Sequence, residues 1–341
     1  MGYITVSKKS GLSIKRNLSG IKKIYLYQKK LNLNTVLKTA VLFLLLCTSI
    51  PCISQTTDEG TEDTEKPVKN IKKRNPTGFH AGFIMGTYFA NSNTASLYDG
   101  YGYNLDGKKN DFFNSFMNNK INIQYGGANG QPDYIAQALN VSPGDWSFNE
   151  GDMPINLQYN IALMLGLQTR YGLNKRESIL LNMNAAQLSI NGNFTISTIN
   201  TTPGIFTQNN IQTFSITGGE QRLIFQLGYQ RILGDNDQLN FFIEGGITST
   251  LVKFNKNTIT IKSLVIDLTS YYYQPGYPEY RTRGLTGFGF GAFGGLGLNL
   301  SMSSKWTMQL VYNPSYETIN IGYYSTLSLQ NALGLRAYYN L

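Results

Sequence analysis

The chain has few residues suited to redox or acid–base chemistry. Its 341 residues include two cysteines and one histidine, and charged residues make up 14%, well below the roughly 25% of ordinary soluble domains. Both cysteines, Cys47 and Cys52, lie in a predicted leader, so we expect a mature chain without disulfides, thiolate metal sites or cysteine nucleophiles. Low charge combined with 35 glycines and 13% aromatic residues argues against an ordinary cytosolic helical enzyme and against a disordered chain.

Positive charge is concentrated at the N-terminus. The formal net charge is +9, and residues 1–38 contain nine Lys or Arg and no acid, so the remaining chain is neutral. The apolar run Thr39–Cys47 and the small residue Ser54 follow, which predicts a signal peptide over residues 1–54. A misassigned translation start or a retained amphipathic arm is the alternative. Residues 55–76 hold five acids followed by five bases and are predicted to be a flexible periplasmic tether. Because the excess charge leaves with the leader, no nucleic-acid partner is predicted.

Beyond residue 76 the polarity alternates with a period of two. Between Leu157 and Tyr171, the odd-numbered positions are mostly apolar or aromatic and the even-numbered ones are mostly small or polar. Because successive side chains of a strand point to opposite faces, this pattern predicts a strand with one apolar face. One segment changes phase near Ala186 and Gln187, which suggests a bulge. The predicted strands are 78–90, 154–171, 178–196, 222–230, 239–248, 286–302, 305–313 and 323–341.

Strand length and turn placement indicate the fold class. Strands of ten or more residues suit a tilted bilayer-spanning strand, and a closed barrel satisfies every strand edge. We therefore predict an all-β fold over residues 77–341, an antiparallel up-and-down transmembrane β-barrel of eight strands, with ten strands as the alternative. Short turns follow strands two, four and six, so both barrel termini are expected on the periplasmic side. Residues 91–153 and 256–283 are predicted to be long extracellular loops, the second of them either a raised hairpin or two further spanning strands.

The same features carry a family resemblance. The eight alternating segments, the alternation of short turns with long loops and a final strand ending in Tyr339 and Leu341 resemble the small PorT-like and OmpA/OmpX-like outer-membrane barrels, a porin-like family. The resemblance implies a location in the bacterial outer membrane. We expect outer-membrane lipid and other outer-membrane or surface proteins as partners.

Charged side chains on the inward face are expected to fill the lumen. An eight-stranded barrel is just wide enough to be filled by its own side chains, and charges inside it must pair. The predicted network that plugs the lumen consists of Arg170, Glu220, Arg222, Glu244 and Arg336. A gated path for protons or small ions is the alternative. The glycines on the inward side of 286–302 are expected to leave room for large residues such as Phe242 or Tyr338.

Aromatic residues mark the long loops as a candidate interaction surface. Their density suits a folded extracellular cap or a protein-binding surface rather than a floppy loop, and short helices are predicted at 111–119 and 132–141. The candidate residues are Tyr98, Tyr101, Tyr103, Phe112, Phe113, Phe116, Tyr134, Trp146, Phe148, Tyr271, Tyr272 and Tyr273. The acidic residues of the first loop lack the tight spacing of a calcium loop, so no metal site is predicted.

The functional hypothesis that follows is non-enzymatic. The only histidine, His80, is predicted at the periplasmic start of the first strand, far from the outer rim where a lipid-modifying site would need it. We therefore expect no catalytic residue and no cofactor. The predicted role is a scaffold, an anchor or an accessory subunit of an outer-membrane translocation or assembly complex. A small channel is the first alternative, and an outer-membrane lipid enzyme is the second.

Overall fold

The structure, a computed structural model, describes residues 77–104, 106–200, 208–234, 236, 238–269, 286–321 and 324–341. The predicted leader (1–54), the predicted tether (55–76) and the three tyrosines Tyr271, Tyr272 and Tyr273 lie outside the described residues.

Strands make up most of the described chain. Their bounds are β1 Gly78–Phe89, β2 Trp146–Ser147, β3 Ile155–Tyr159, β4 Ala162–Gly172, β5 Glu177–Asn200, β6 Gln208–Leu233, β7 Leu239–Ile261, β8 Leu264–Asp267, β9 Thr286–Ser301, β10 Trp306–Ile321 and β11 Tyr324–Asn340. The longest, β5, β6 and β7, have 24, 26 and 23 residues, well beyond the roughly 10 that a tilted strand needs to cross a bilayer.

Eight of these strands close into a ring of antiparallel pairs. The order around the ring is β1, β4, β5, β6, β7, β9, β10 and β11. Strand β11 returns to β1 in a register that runs from His80 opposite Asn340 to Phe89 opposite Asn331. Strands β2 and β3 pair with β5, and β8 pairs with β7, so these three lie off the ring. The predicted all-β, antiparallel up-and-down barrel is confirmed, with eight strands in the ring that the described residues form.

The two ends of the barrel differ. Strands β4 and β5, β6 and β7, and β9 and β10 follow one another closely in sequence at the end where β1 begins and β11 ends, and we call this the terminal end. The long connection 90–154 lies at the opposite end, which we call the cap end. Strand β7 continues to Ile261 and turns through Lys262, whose φ is 51°, into β8. The first part of the predicted 256–283 loop is therefore a hairpin.

Strand β5 changes polarity along its length without losing register. Near the terminal end Ile179 points outward, whereas toward the cap end the polar Gln187 points outward and Leu188 points inward. The pairing with β6 is uninterrupted from Glu177 to Asn200, so the bulge predicted near Ala186 is wrong. The phase of the sequence changes because the inner face becomes apolar where the strand lines a protein core instead of a polar lumen.

The bulge of the long strands lies in β7 instead. Gly219 on β6 is opposite Lys256, whereas the next residue, Glu220, is opposite Phe254. Asn255 is therefore the extra residue of a β-bulge. Beyond it the inward-facing positions of β7 change from even to odd numbers.

The segment predicted as one strand over 154–171 is two strands. β3 ends at Tyr159 and β4 begins at Ala162, and the pairing of β3 with β5 shifts register beside Asn156, whose φ is 60°. As a result Tyr159 lies within the barrel, where its hydroxyl accepts a hydrogen bond from Arg222 at 3.4 Å. The alternation predicts that Tyr159 and Ile161 both lie on the apolar, lipid-facing side of this strand. That is wrong for Tyr159 and confirmed for Ile161, which is exposed.

Short helices occupy the long connection at the cap end. They are α1 Ser92–Ala95, α2 Phe116–Asn118 followed by the π-helix Asn119–Gln124, α3 Tyr134–Leu139, and the 3-10 turns Ser96–Tyr98, Ala128–Gly130 and Glu150–Asp152. The helix predicted within 132–141 is confirmed. The one predicted at 111–119 begins only at residue 116, because the Ser115 side chain caps it by accepting from the Asn118 amide. Within the described ranges, no helix has the length and apolar character needed to cross a membrane.

Candidate functional site: a filled lumen beneath a folded cap

An exposed apolar belt surrounds the barrel. Every strand of the ring contributes outward aliphatic or aromatic residues to it, among them Phe83, Leu163, Leu165, Leu181, Leu227, Ile243, Ile247, Phe288, Phe290, Leu310, Leu333 and Leu335. On β7 the outward apolar stretch runs from Leu239 to Leu251, which rises on the order of 30 Å if the strand tilts by about 40°. A contiguous apolar surface of this height is the lipid-facing surface of a membrane-spanning barrel.

The half of the lumen nearer the terminal end, which we call the lower half, is filled by one ion pair and its amide neighbours. Glu244 on β7 accepts two hydrogen bonds from Arg336 on β11, at 2.6 and 2.7 Å. The same carboxylate accepts from Gln230 at 3.2 Å and from Asn313 at 2.9 Å. Arg170 donates to Gln230 at 3.2 Å and stacks over the ring of Tyr338, 4.7 Å from its centroid. All are buried, so the two pairing charges compensate each other away from water.

A second ion pair lies nearer the cap end. Glu220 and Arg222 on β6 are 2.6 Å apart and fully buried. The guanidinium of Arg222 also donates to the hydroxyl of Tyr88 at 3.1 Å, to Gln330 at 3.2 Å and to Thr94 at 3.1 Å. Because Thr94 belongs to the long connection, this arginine joins the barrel wall to the cap.

The five predicted lumen residues therefore form two clusters, and the prediction of one network is wrong in this respect. Between the clusters lies an apolar layer contributed by several strands: Ile84, Met164, Ala186, Ile224, Val311 and Ala332. A cavity of about 10 Å³, about one water molecule in size, lies in this layer. The two clusters are separate because the Glu220–Arg222 pair lies nearer the cap end than the Glu244–Arg336 pair along the barrel axis. Side chains reach across the lumen rather than along it.

A third buried carboxylate, Glu317 on β10, was missed in the sequence. Its side chain is 0% exposed. One oxygen accepts a hydrogen bond from the hydroxyl of Thr250 at 2.6 Å, and the other has no hydrogen-bond partner among the described residues. The alternation of β10 could have revealed it, because Glu317 continues the inward parity beyond Asn313, where the predicted strand stopped.

Glycines provide space for large inward side chains, as predicted. A Cβ atom at Gly297 would lie 2.6 Å from the ring of Phe242. The space for Tyr338 comes instead from Gly82 on β1, where a Cβ atom would lie 2.9 Å from the ring.

The long connection folds into a cap with its own apolar core. We use "cap" for residues 90–154. Its buried residues pack on the inner faces of the extended strands β5, β6, β7 and β10, forming one cluster that includes Leu97, Phe112, Met117, Ile121, Ile135, Leu139, Ile190, Phe194, Ile216, Phe254, Ile259 and Ile319. The extended strands therefore form a wall around the cap rather than an open funnel.

Tyr98 connects the cap core with the upper ion pair. Its ring stacks on Phe254 with centroids 5.0 Å apart, and its hydroxyl donates to Glu220 at 2.7 Å. Burial, and next the nearby carboxylate, raise the pKa of Tyr98 well above its ordinary value, so the phenol remains a donor. Gly218 makes the close approach possible, because a Cβ atom there would lie 2.4 Å from the Tyr98 ring.

The predicted aromatic loop surface divides into core and exposed residues. Tyr98, Phe112 and Phe148 are buried, so their place in an interaction surface is wrong. Tyr101, Tyr103, Phe116 and Trp146 are half-buried. Phe113 is 79% exposed and Tyr134 is 43% exposed. Sequence composition could not separate these groups, because the cap has no regular period.

A polar groove of about 680 Å³ lies at the cap end between β3 and β11. Its floor includes Ser92 and Asn93 of α1. At one side Lys109 forms an ion pair with the buried Asp99 at 2.7 Å. Burial raises the pKa of Asp99, against the opposing effects of Lys109 and of the Tyr101 amide.

The single histidine of the chain lies away from the cap end. His80 is buried near the terminal end, where its Nδ1–H donates to the side-chain oxygen of Asn340. No group of three or more His, Cys, Asp or Glu side chains able to hold a metal occurs in the part of the chain that the structure describes.

Comparison with known proteins gives structural neighbours only. No protein-family model and no curated protein matches the sequence. The outer membrane protein OprG from Pseudomonas aeruginosa is 10% identical, with 77% of this chain and 93% of that chain covered and a TM-score of 0.34. Ail, the attachment invasion locus protein of Yersinia pestis, is 10% identical, with coverages of 77% and 99% and a TM-score of 0.30. The N-terminal β-barrel domain of Pseudomonas aeruginosa OprF is 11% identical, with coverages of 55% and 93% and a TM-score of 0.25. The barrel assignment rests on the strand pairing of the chain itself.

Proposed function

We propose that this protein is a non-enzymatic barrel of the bacterial outer membrane that presents its cap to partner proteins, as an anchor or an accessory subunit of a translocation or assembly complex. The observation that carries the proposal is the folded cap, which packs on the inner faces of β5, β6, β7 and β10. Ordering a connection of this length costs conformational entropy, and long ordered loops are usually functional.

The orientation follows from the rule for bacterial barrels. Short turns face the periplasm and long loops face outward, so the cap end is proposed to be extracellular and the terminal end periplasmic. The outward apolar residues would contact outer-membrane lipid. The exposed Phe113 and Tyr134 of the cap then face the medium, where other outer-membrane or surface proteins could reach them.

The filled lumen supports an anchor in preference to a channel. Glu244, Arg336 and the Glu220–Arg222 pair occupy two levels of the lumen, and an apolar layer lies between them. A permeating ion would have to pass both buried ion pairs and the apolar layer, which is unfavourable for a charge. In planar bilayers the purified protein is expected to be silent, and stable channels that change when Glu244 is replaced would refute the anchor.

Partner capture tests the proposed role directly. The protein is extracted from its own outer membrane in mild detergent, with and without chemical cross-linking, and co-purifying proteins are identified. We expect a defined partner that is lost with Phe113→Ser combined with Tyr134→Ser. The matched control is Lys108→Ser, because its side chain is 82% exposed in the same cap. A barrel that elutes alone even after cross-linking contradicts the proposal.

A lipid enzyme is the remaining alternative. Lipid profiles of a strain that lacks the protein are expected to match those of the parent strain. A reproducible change in lipid acylation would favour an enzyme and would count against the scaffold.

A further inference from the structure

The groove at the cap end is bounded by strand edges rather than by strand faces. One wall is formed by the consecutive residues Pro154 to Gln158 and the other by Tyr324, Ser325 and Thr326. A strand seen from its face presents every second residue, because side chains alternate between the two faces. A strand that lines a groove with consecutive residues presents its edge.

The groove lies at the strand position that β1 occupies lower in the ring. In the ring, β1 is the only strand between β4 and β11, and its pairing with β11 ends where Phe89 lies opposite Asn331. Beyond that point β3 pairs only with β5 and the first residues of β11 pair only with β10, among the described residues. Helix α1 contacts both β3 and β11. Neighbouring strands are about 4.8 Å apart, so two edges with one strand position between them are expected to lie about 10 Å apart, enough for one extended chain.

The edge of β11 points its backbone groups into this gap. The carbonyl oxygen of Leu329 accepts a hydrogen bond from the Asn91 side chain at 3.1 Å, on the side of β11 away from β10. Because the N–H and C=O of one strand residue point the same way and alternate along the strand, Ser325 and Leu327 direct theirs to the same side. No hydrogen bond from another strand or from the cap reaches these two backbones in the described structure.

We propose that the groove binds an extended segment of a partner protein by β-strand addition. The segment would take the place that β1 leaves vacant and would form main-chain hydrogen bonds with Ser325 and Leu327. Such pairing gives affinity through the backbone and leaves specificity to alternate side chains. Ile155, which belongs to one wall and is 75% exposed, would favour an apolar residue there. This inference rests on the proposed function in one respect, namely that the cap end meets a partner.

A tethered probe peptide tests the inference without a natural partner. In the full chain, Cys47 and Cys52 are replaced by serine and Ser92 on the groove floor by cysteine. A heptapeptide of alternating threonine and valine is attached there through a disulfide. Backbone amide hydrogen exchange is then measured by NMR in detergent micelles. The control peptide has the same sequence but N-methylated amides, which cannot donate hydrogen bonds.

We expect the amides of Ser325 and Leu327 to exchange at least tenfold more slowly with the first peptide and to be unaffected by the methylated one. Equal exchange with both peptides overturns the inference. Slow exchange of these amides before any peptide is attached also overturns it, because the groove would then be filled by the chain itself. Failure to find a co-purifying partner leaves this measurement intact, so the two proposals fail separately.

Discussion

Removing one partner of the lower ion pair gives a quantitative test of the filled lumen. The change is Arg336→Met, which keeps most of the side-chain volume but removes the guanidinium. Glu244 then remains buried and, among the described residues, keeps its hydrogen bonds from Gln230 and Asn313. The two short contacts of 2.6 and 2.7 Å that the arginine makes are lost.

The expected cost follows from these contacts. Two unit charges about 4 Å apart attract by about 4 kcal/mol at an effective dielectric constant of about 20. Breaking a buried pair by removing one partner typically costs about 3–5 kcal/mol, because an uncompensated charge stays in the interior. We therefore expect Arg336→Met to lower the free energy of unfolding by about 3–5 kcal/mol. The double variant Arg336→Met with Glu244→Gln should recover most of this loss.

The assay is denaturant unfolding in detergent micelles, followed by the heat-modifiable migration of the folded barrel. Lys305→Met serves as the control, because Lys305 is exposed in a turn at the terminal end. A loss below about 1 kcal/mol for Arg336→Met, the value typical of surface pairs, would refute the reasoning. A double variant as unstable as the single one would show that the loss comes from packing rather than charge.

Three further predictions concern Glu317, the cap and its pH response. Thr250→Val removes the one hydrogen bond that the described residues give the Glu317 carboxylate and should cost about 1.5–3 kcal/mol, whereas Thr248→Val should be nearly neutral in the same unfolding assay because the Thr248 hydroxyl has no hydrogen-bond partner among those residues. Gly218→Ala should displace Tyr98, cost about 1–3 kcal/mol and expose the cap to proteolysis, whereas Gly219→Ala should not, since its Cβ atom would have 3.5 Å of clearance; equal cleavage of both variants would contradict this packing. Burial raises the pKa of Asp99, so the folded cap binds the proton of the Asp99 carboxyl more tightly than the unfolded chain does. The cap therefore loses stability as the pH rises from the ordinary pKa of an aspartate through the raised one. Amide-exchange free energies of the cap should show this loss, and Asp99→Asn should abolish it; an unchanged pH profile in that variant would rule out Asp99 as the cause.

The part of the fold that could be predicted is the part in contact with lipid. There the outward side chains must be apolar and the inward ones small or polar, so the sequences of β4, β9 and β11 alternate in polarity with a period of two. The same rule placed Arg222, Glu244 and Arg336 inside the lumen. It also placed Trp306 and Leu310 on the outside.

Prediction failed where the strands leave the lipid. Above that level the inner face of β5 packs on the cap, so the apolar parity moves from Ile179 to Leu188 and imitates a bulge in the sequence. The predicted strand 305–313 ends before Pro314, whereas in the structure the proline lies opposite Asn331 and β10 continues to Ile321. The heights of the ion pairs depend on strand stagger, which no local pattern contains, so one network was predicted where two clusters exist.

The polarity reversal along β5 also fixes the depth of the barrel in the bilayer. Moving the barrel toward its cap end would carry apolar lipid-facing residues such as Leu181 toward water, and moving it toward its terminal end would carry the polar Gln187 and Ser189 into hydrocarbon. Each movement is opposed by the free energy of transferring side chains between water and hydrocarbon, so the reversal marks the membrane interface on β5. The cap and the groove between β3 and β11 are thereby held at a constant height above the lipid, as a partner anchored in the same membrane would require.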